Sequence, residues 1–438
     1  MRLLNVFAKR CHENSIGFYG LLFLVILVLM NVRQKNVTNF DCEVCSDKAG
    51  YFMYLPATFH YGFQAENYPK SISEEHGNGF QLDHENNRVL NKYTCGIAML
   101  QAPFYGTGVL ISKVFSINAD PFSSFYLFFI NIGAAFYLVL GMFFLRKWLN
   151  YYVENSTSLL TILVIFFGTN LYYYSVDESL MTHLYSFALF SIILYSLKTY
   201  FETKRFRNFL IFCTALALAI LIRPTNFLFV VIALLLDLES ISTLKDRLIA
   251  LLSIKNILTG IVVLALVFLP QLLYWKYTYG TFVLWTYGEE GFTLWNNPRF
   301  ATVWFSPQGG LFTYTPIILL SLAFTFVMYK RKVGNSLLVL STFLIISYMF
   351  ASWANPYFGF CNFGKRPMIE FLPILMLPIA YMFKFYSSFK KGVRYSMSIL
   401  VLLCVYYNLS LTAGFDTCFQ GSTWDWDIFY ALLDSSVF

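Results

Sequence analysis

Eleven mostly apolar runs, each long enough or nearly long enough to cross a bilayer, divide this 438-residue chain: 16–32, 122–145, 158–176, 182–201, 207–222, 226–238, 257–275, 311–329, 335–353, 368–384 and 395–412. A spanning helix takes roughly 20 such residues, because lipid offers no partner for backbone N–H and C=O groups and each span must satisfy its own. Only 13% of the residues are charged, against about 25% in a soluble domain. A soluble multidomain enzyme and a disordered chain are therefore excluded. The expected fold class is an all-α polytopic membrane protein with about 11 transmembrane helices. In such a protein a net charge of +7 reports positively charged orienting loops, so membrane lipids rather than nucleic acid are the expected surroundings.

Basic residues orient the runs. With the N-terminus inside, nineteen of the 31 Lys and Arg fall in short inner segments, while the outer loops after the first carry only Arg223, Lys276, Arg299, Lys365 and Arg366. This asymmetry gives an N-in, C-out topology. Residues 94–116 contain Pro103, three glycines and Lys113, which predicts an interfacial or re-entrant segment. Counting that segment as a span would invert every later loop. The basic start and first run imitate a secretory signal, but Met30-Asn31-Val32-Arg33 offers no small-residue cleavage site, so a retained anchor is expected. The layout is then one transmembrane domain over 1–412, including a first outer loop at 33–121, and a short outer tail at 413–438.

The polar residues collect outside, whereas the spans are nearly free of charge. A transporter would be expected to carry ionisable groups near the midplane. Just past the first span, Asp47 precedes Lys48-Ala49-Gly50-Tyr51-Phe52-Met53-Tyr54; it is placed either to cap an interfacial helix or to act as a base on an incoming hydroxyl. Asp177 and Glu178 suit the positive end of the following helix, or hydroxyls of a sugar. His183, one turn into the next span, reads as a buried histidine with a satisfied ring or as a ligand contact. Arg223, in Arg223-Pro224-Thr225-Asn226, either snorkels to headgroups or binds phosphate. Lys365 and Arg366 sit outside against the charge rule, which favours a phosphate role. Tryptophans 285, 295, 304 and 353 form an aromatic belt or a sugar platform. Cys42, Cys45, Cys95, Cys361 and Cys418 fall outside; Cys42-x-x-Cys45 predicts a structural disulfide or free thiols rather than a metal site.

In order and on a common side, these segments resemble the GT-C glycosyltransferases, which take a sugar from a polyprenyl-phosphate carrier. The likeness is greatest to bacterial members related to protein mannosyltransferases and to the aminoarabinose transferase of lipid A. It rests on Asp47 with GYFMYLPATF, on GTNLYYYSVDESLMTHLYSF (168–187), on RPTNFLF (223–229), and on FSPQGGLFTYTP (305–316) with FGKRPMIEFLP (363–373). The resemblance implies a transferase at the outer face of a bacterial inner membrane that inverts the anomeric centre. Asp47 would be the general base, and Arg223, Lys365 and Arg366 would bind the donor phosphate. Asp177, Glu178, His183 and Tyr54 would contact sugar or acceptor, the acceptor being a hydroxyl of a glycan, lipid or protein. No cofactor is implied. Lys48 stands where many relatives carry a second acid, which weakens any metal role. A large C-terminal soluble domain is not expected. The competing readings are a polyprenyl-lipid flippase, which would need a polar path through its spans, and an O-antigen ligase or polymerase, which would place its largest outer loop late in the chain.

Overall fold

The apolar runs become helices, and proline and buried polar groups decide where those helices break. The computed structural model describes residues 15–33, 44–69, 71–72, 79–288, 290–359, 362–415 and 424–435. After α1 (Ser15–Arg33), the first loop holds the short α2 (Asp47–Phe52), an antiparallel hairpin of β1 (Gln81–Asp83) and β2 (Arg88–Leu90), and α3 (Gly96–Val114). Next come α4 (Ser124–Leu149), α5 (Asn155–Gly168), α6 (Leu171–Val176), α7 (Thr182–Thr203), α8 (Phe206–Ile222) and α9 (Leu228–Leu235). The remainder comprises α10 (Ile241–Leu251), α11 (Ile254–Tyr279), α12 (Ile317–Lys330), α13 (Ser336–Ala351), α14 (Leu377–Lys384), α15 (Lys391–Gly414) and α16 (Trp426–Ser435).

Among the described residues, five helical segments are long and apolar enough to cross a membrane: α4, α7, α11, the composite Arg366–Lys384, and α15. Five shorter apolar helices accompany them. The chain is a multi-pass integral membrane protein. α7 and Arg366–Lys384 lie deep inside, whereas α11 and α15 turn most of their surface outward. Their exposed Leu258, Ile261, Leu266, Leu402 and Leu403 would form an improbable patch in water and an ordinary one in lipid.

Several expected runs are interrupted. Run 158–176 divides into α5 and α6, 226–238 holds a 3-10 turn (Pro224–Phe227) before the eight-residue α9, and 311–329 breaks at Pro316. Run 368–384 begins as a 3-10 turn (Arg366–Phe371) and continues through Leu372–Leu375 into α14. Proline removes a donor at three of these breaks, and every break, including the proline-free one at Gly168-Thr169-Asn170, frees carbonyls that need other partners. Asn408 supplies one set: its Nδ2 donates to the Phe167 and Thr169 carbonyls at the α5–α6 break. The expected interfacial segment 94–116 is the 19-residue helix α3, which packs on α2 and α4. The hairpin had no counterpart in the hydropathy pattern.

Helix packing uses small residues, as expected where lipid supplies no hydrophobic drive between helices. α4 packs extensively on α7, and at their crossing Gly141 lies against the Ala188 backbone, where an added Cβ would overlap the Ala188 Cα. Gly141→Val should therefore destabilise the protein by about 1–3 kcal/mol; a thermal unfolding midpoint in detergent equal to wild type would contradict this contact.

The end of the bundle away from α2 is stitched by a fully paired polar group. Asp237 accepts from Tyr152 Oη at 2.8 Å and Asn335 Nδ2 at 2.6 Å and pairs with Lys198 at 2.9 Å, while Arg247 donates to its carbonyl at 2.8 Å. The end carrying α2 is different: there the polar groups line a partly open site.

Candidate active site

The site begins with α2. Ser46, with a φ of 51°, turns the chain so that Asp47 opens the helix. Asp47 does not serve as the cap; its carboxylate crosses to another part of the chain. Oδ2 accepts from Arg366 Nη2 at 2.9 Å, and Oδ1 accepts from the Tyr93 hydroxyl. With 31% of the Asp47 side chain exposed, the carboxylate remains within reach of an incoming group. Burial pushes the Asp47 carboxyl up, but Arg366, the Tyr93 hydrogen bond and Lys92 together outweigh it and hold the group below the usual carboxylate range. It is an anion at neutral pH.

Arg223 ends α8, beside the proline that stops the helix. Its Nη1 donates to Glu370 Oε1 at 2.9 Å, and the same oxygen lies 3.1 Å from His183 Nδ1. Glu370 and His183 are buried. A carboxylate only accepts, so Nδ1 carries the proton that faces Glu370. Arg223, Arg366 and Asp47 act electrostatically on the same Tyr51 and Tyr287 hydroxyls. The three groups expected to meet at one end of the bundle thus do so. Each guanidinium reaches its carboxylate through one nitrogen, a monodentate arrangement that leaves further N–H donors of the fork for phosphate oxygens.

Other expected residues take different positions. Lys365 is buried and its Nζ donates to the Pro356 carbonyl at 2.6 Å; burial, assisted by adjacent Arg366, pushes its ammonium down to about 7. It faces into the loop rather than toward Asp47. Glu178 pairs with Lys48 at 3.1 Å, tying the α6–α7 turn to α2, and Asp177 lies half-buried beside it. The Tyr54 hydroxyl donates to the Tyr93 carbonyl at 2.7 Å. Its ring lines a cavity of about 440 Å³ with Phe59, Phe63, Met99 and Tyr274. Cys45 is disulfide-bonded; Cys42, Cys361 and Cys418 lie outside the described residues, and Cys95 is a free buried thiol. Of the four tryptophans, Trp285 and Trp295 are exposed, in keeping with a belt. Among the described residues no group of three or more His, Cys, Asp and Glu is placed to hold a metal.

Glu370, Tyr93, Tyr287 and Lys92 join the site without having been singled out in the sequence. Glu370 left a signal, as an acid inside the run 368–384, and it corrects the reading of the spans as nearly free of charge. The others are loop residues. Lys92 pairs with Glu290 at 3.1 Å, and Thr286 donates to the Lys92 carbonyl at 2.5 Å. These contacts bring the 280–299 loop, with Tyr287, over the first loop.

No known protein family and no curated protein matches the chain. Among solved structures, the crystal structure of ArnT from Cupriavidus metallidurans bound to undecaprenyl phosphate aligns with 97% of this chain and 69% of its own, with a TM-score of 0.56 and 11% identity. At that identity the likeness is one of fold alone.

Proposed function

We propose that the chain is a GT-C transferase that moves a sugar from a polyprenyl-phosphate carrier to an acceptor hydroxyl at the outer face of the membrane, with inversion. One observation carries the reading: Asp47 and Arg366, 319 positions apart in the chain, pair at 2.9 Å in a partly open site with Arg223 close by. A base and cations are the groups such a displacement requires. That a protein of the same fold was crystallised with undecaprenyl phosphate supports a polyprenyl-linked donor.

The acceptor oxygen attacks the anomeric carbon while its proton passes to Asp47. The bond from that carbon to the phosphate oxygen breaks, and its electron pair stays on the departing polyprenyl phosphate. Negative charge therefore leaves Asp47 as it grows on the phosphate. Arg366, attracted less by a protonated carboxyl, is free to follow the charge, and Arg223 remains fixed by Glu370. Donors that strengthen their hold as charge develops lower the barrier. Asp177 and Glu178, beside α2, are the groups offered to sugar or acceptor hydroxyls; Lys365 would act only after leaving Pro356. The charge asymmetry of the loops supports a site on the outer face, and the family resemblance supports an inner membrane with that face toward a periplasm.

The test is to incubate purified protein with a panel of polyprenyl-phosphate sugars and acceptors. Consumption of one donor with release of polyprenyl phosphate is expected; lipid flipping without consumption would overturn the reading. Arg366→Ala should weaken donor binding by about 10-fold to 100-fold, the value of a charge-assisted hydrogen bond. An unchanged donor affinity would remove Arg366 from the phosphate site.

A further inference from the structure

We propose that Tyr93 is a positioning residue for this reaction, holding Oδ1 of Asp47 by a hydrogen bond so that the carboxylate presents a fixed lone pair to the acceptor hydroxyl. The inference rests on the transferase reading and adds a residue to it. A carboxylate held at one oxygen can swing about its Cβ–Cγ bond. Held at both, by Arg366 on Oδ2 and Tyr93 on Oδ1, it cannot, and orientation of a reacting group is a large part of catalysis.

The Tyr93 ring is itself locked to the helix that carries Asp47. Its carbonyl accepts from Tyr54 Oη at 2.7 Å, and its N–H donates to Asn91 Oδ1 at 2.9 Å. Asn91 Nδ2 in turn donates to the Gly50 carbonyl at 2.6 Å, which closes the connection back onto α2. The ring lies against Tyr51, with centroids 4.5 Å apart, and over Gly50, where any Cβ would overlap it. Glycine at position 50 is what allows the phenol to reach Asp47. The hydroxyl stays a donor, because burial and the Asp47 charge both raise its ionisation above the ordinary tyrosine range.

The groups facing Asp47 come from every surrounding element: Arg366 from the 3-10 turn, Tyr93 and Lys92 from the loop after β2, Tyr51 from α2, Tyr174 from α6 and Tyr287 from the 280–299 loop. Arg223 stands one group further, acting on Tyr51 and Tyr287. Of these, Tyr93 is the neutral group that hydrogen-bonds the carboxylate directly, so its effect can be separated from that of the cations. Deleting its hydroxyl removes stabilisation of the anion, and the acid limb of the rate profile must then rise toward neutral pH.

The experiment compares Tyr93→Phe with wild type on the donor that wild type consumes. The expected result is a kcat lower by about tenfold and an acid limb raised by roughly one pH unit, the effect of one hydrogen bond to a charged group, with donor KM unchanged within about twofold. A change in basicity alone would instead raise kcat at neutral pH, since the higher-pKa base is the stronger one. Gly50→Ala, which keeps the tyrosine but displaces its ring and with it the hydroxyl, should reproduce both changes. If Tyr93→Phe moves neither kcat nor the acid limb, the inference is overturned, whatever Gly50→Ala does. Wild-type turnover tests the transferase reading, and the difference between variant and wild type tests Tyr93, so the two failures are distinguishable.

Discussion

Asp47→Asn protein should transfer sugar roughly 10²–10⁴-fold more slowly than wild type, the usual loss on removing a general base. The amide matches the carboxylate in shape and can still accept from Arg366 through its oxygen, so the bundle should fold and α2 should keep its place. What disappears is the ability to take the acceptor proton. Donor binding should be retained or slightly tighter, because an uncharged partner releases Arg366 toward the phosphate. Initial rates and donor affinity measured on the same preparation give both values. A wild-type rate would show that the proton goes elsewhere, and lost donor affinity at full fold would make Asp47 a binding group instead.

Glu370→Ala should destabilise the protein by about 3–5 kcal/mol, the loss expected when one member of a buried ion pair is removed and the other is stranded. Glu370 is 1% exposed and lies in contact with both Arg223 and His183. Truncation leaves the half-buried Arg223 guanidinium without its carboxylate at the end of α8, and the His183 N–H lacking its acceptor. Glu370→Gln keeps an acceptor and should cost less. The readout is the thermal midpoint of each variant in detergent, followed by donor affinity of whichever remains folded. Equal midpoints for wild type and Glu370→Ala would mean that Arg223 is held by other contacts. Loss of donor affinity in folded Glu370→Gln would indicate that Arg223 must be aimed, as well as charged, to engage phosphate.

The two variants probe different kinds of legibility. Asp47 could be singled out along the chain because an acid just beyond the first span is placed to cap a helix or to act as a base, and Arg366 because a cation outside breaks the charge rule. Their pairing could not, since nothing local measures distance across 319 positions. Glu370 was visible as an acid in an apolar run, yet the run read as an unbroken span. It starts as a 3-10 turn, which places Glu370 in the protein interior opposite Arg223. Lys365 shows the converse: its charge and location matched those of Arg366, but a rotation of one residue sends its ammonium to Pro356. Tyr93 left no trace, because one tyrosine among 31 differs from the rest only in what folds against it.

Hydropathy and the placement of basic residues determined the solvent of this protein, its helical class and the end of the bundle where polar groups gather. Those properties follow from an additive transfer free energy that each segment meets independently of the others. Tertiary structure decided which helices break, how Asp47 is held between Arg366 and Tyr93, and that Glu370 anchors Arg223. Such choices depend on close packing and on buried polar groups finding partners, conditions met jointly by residues hundreds of positions apart.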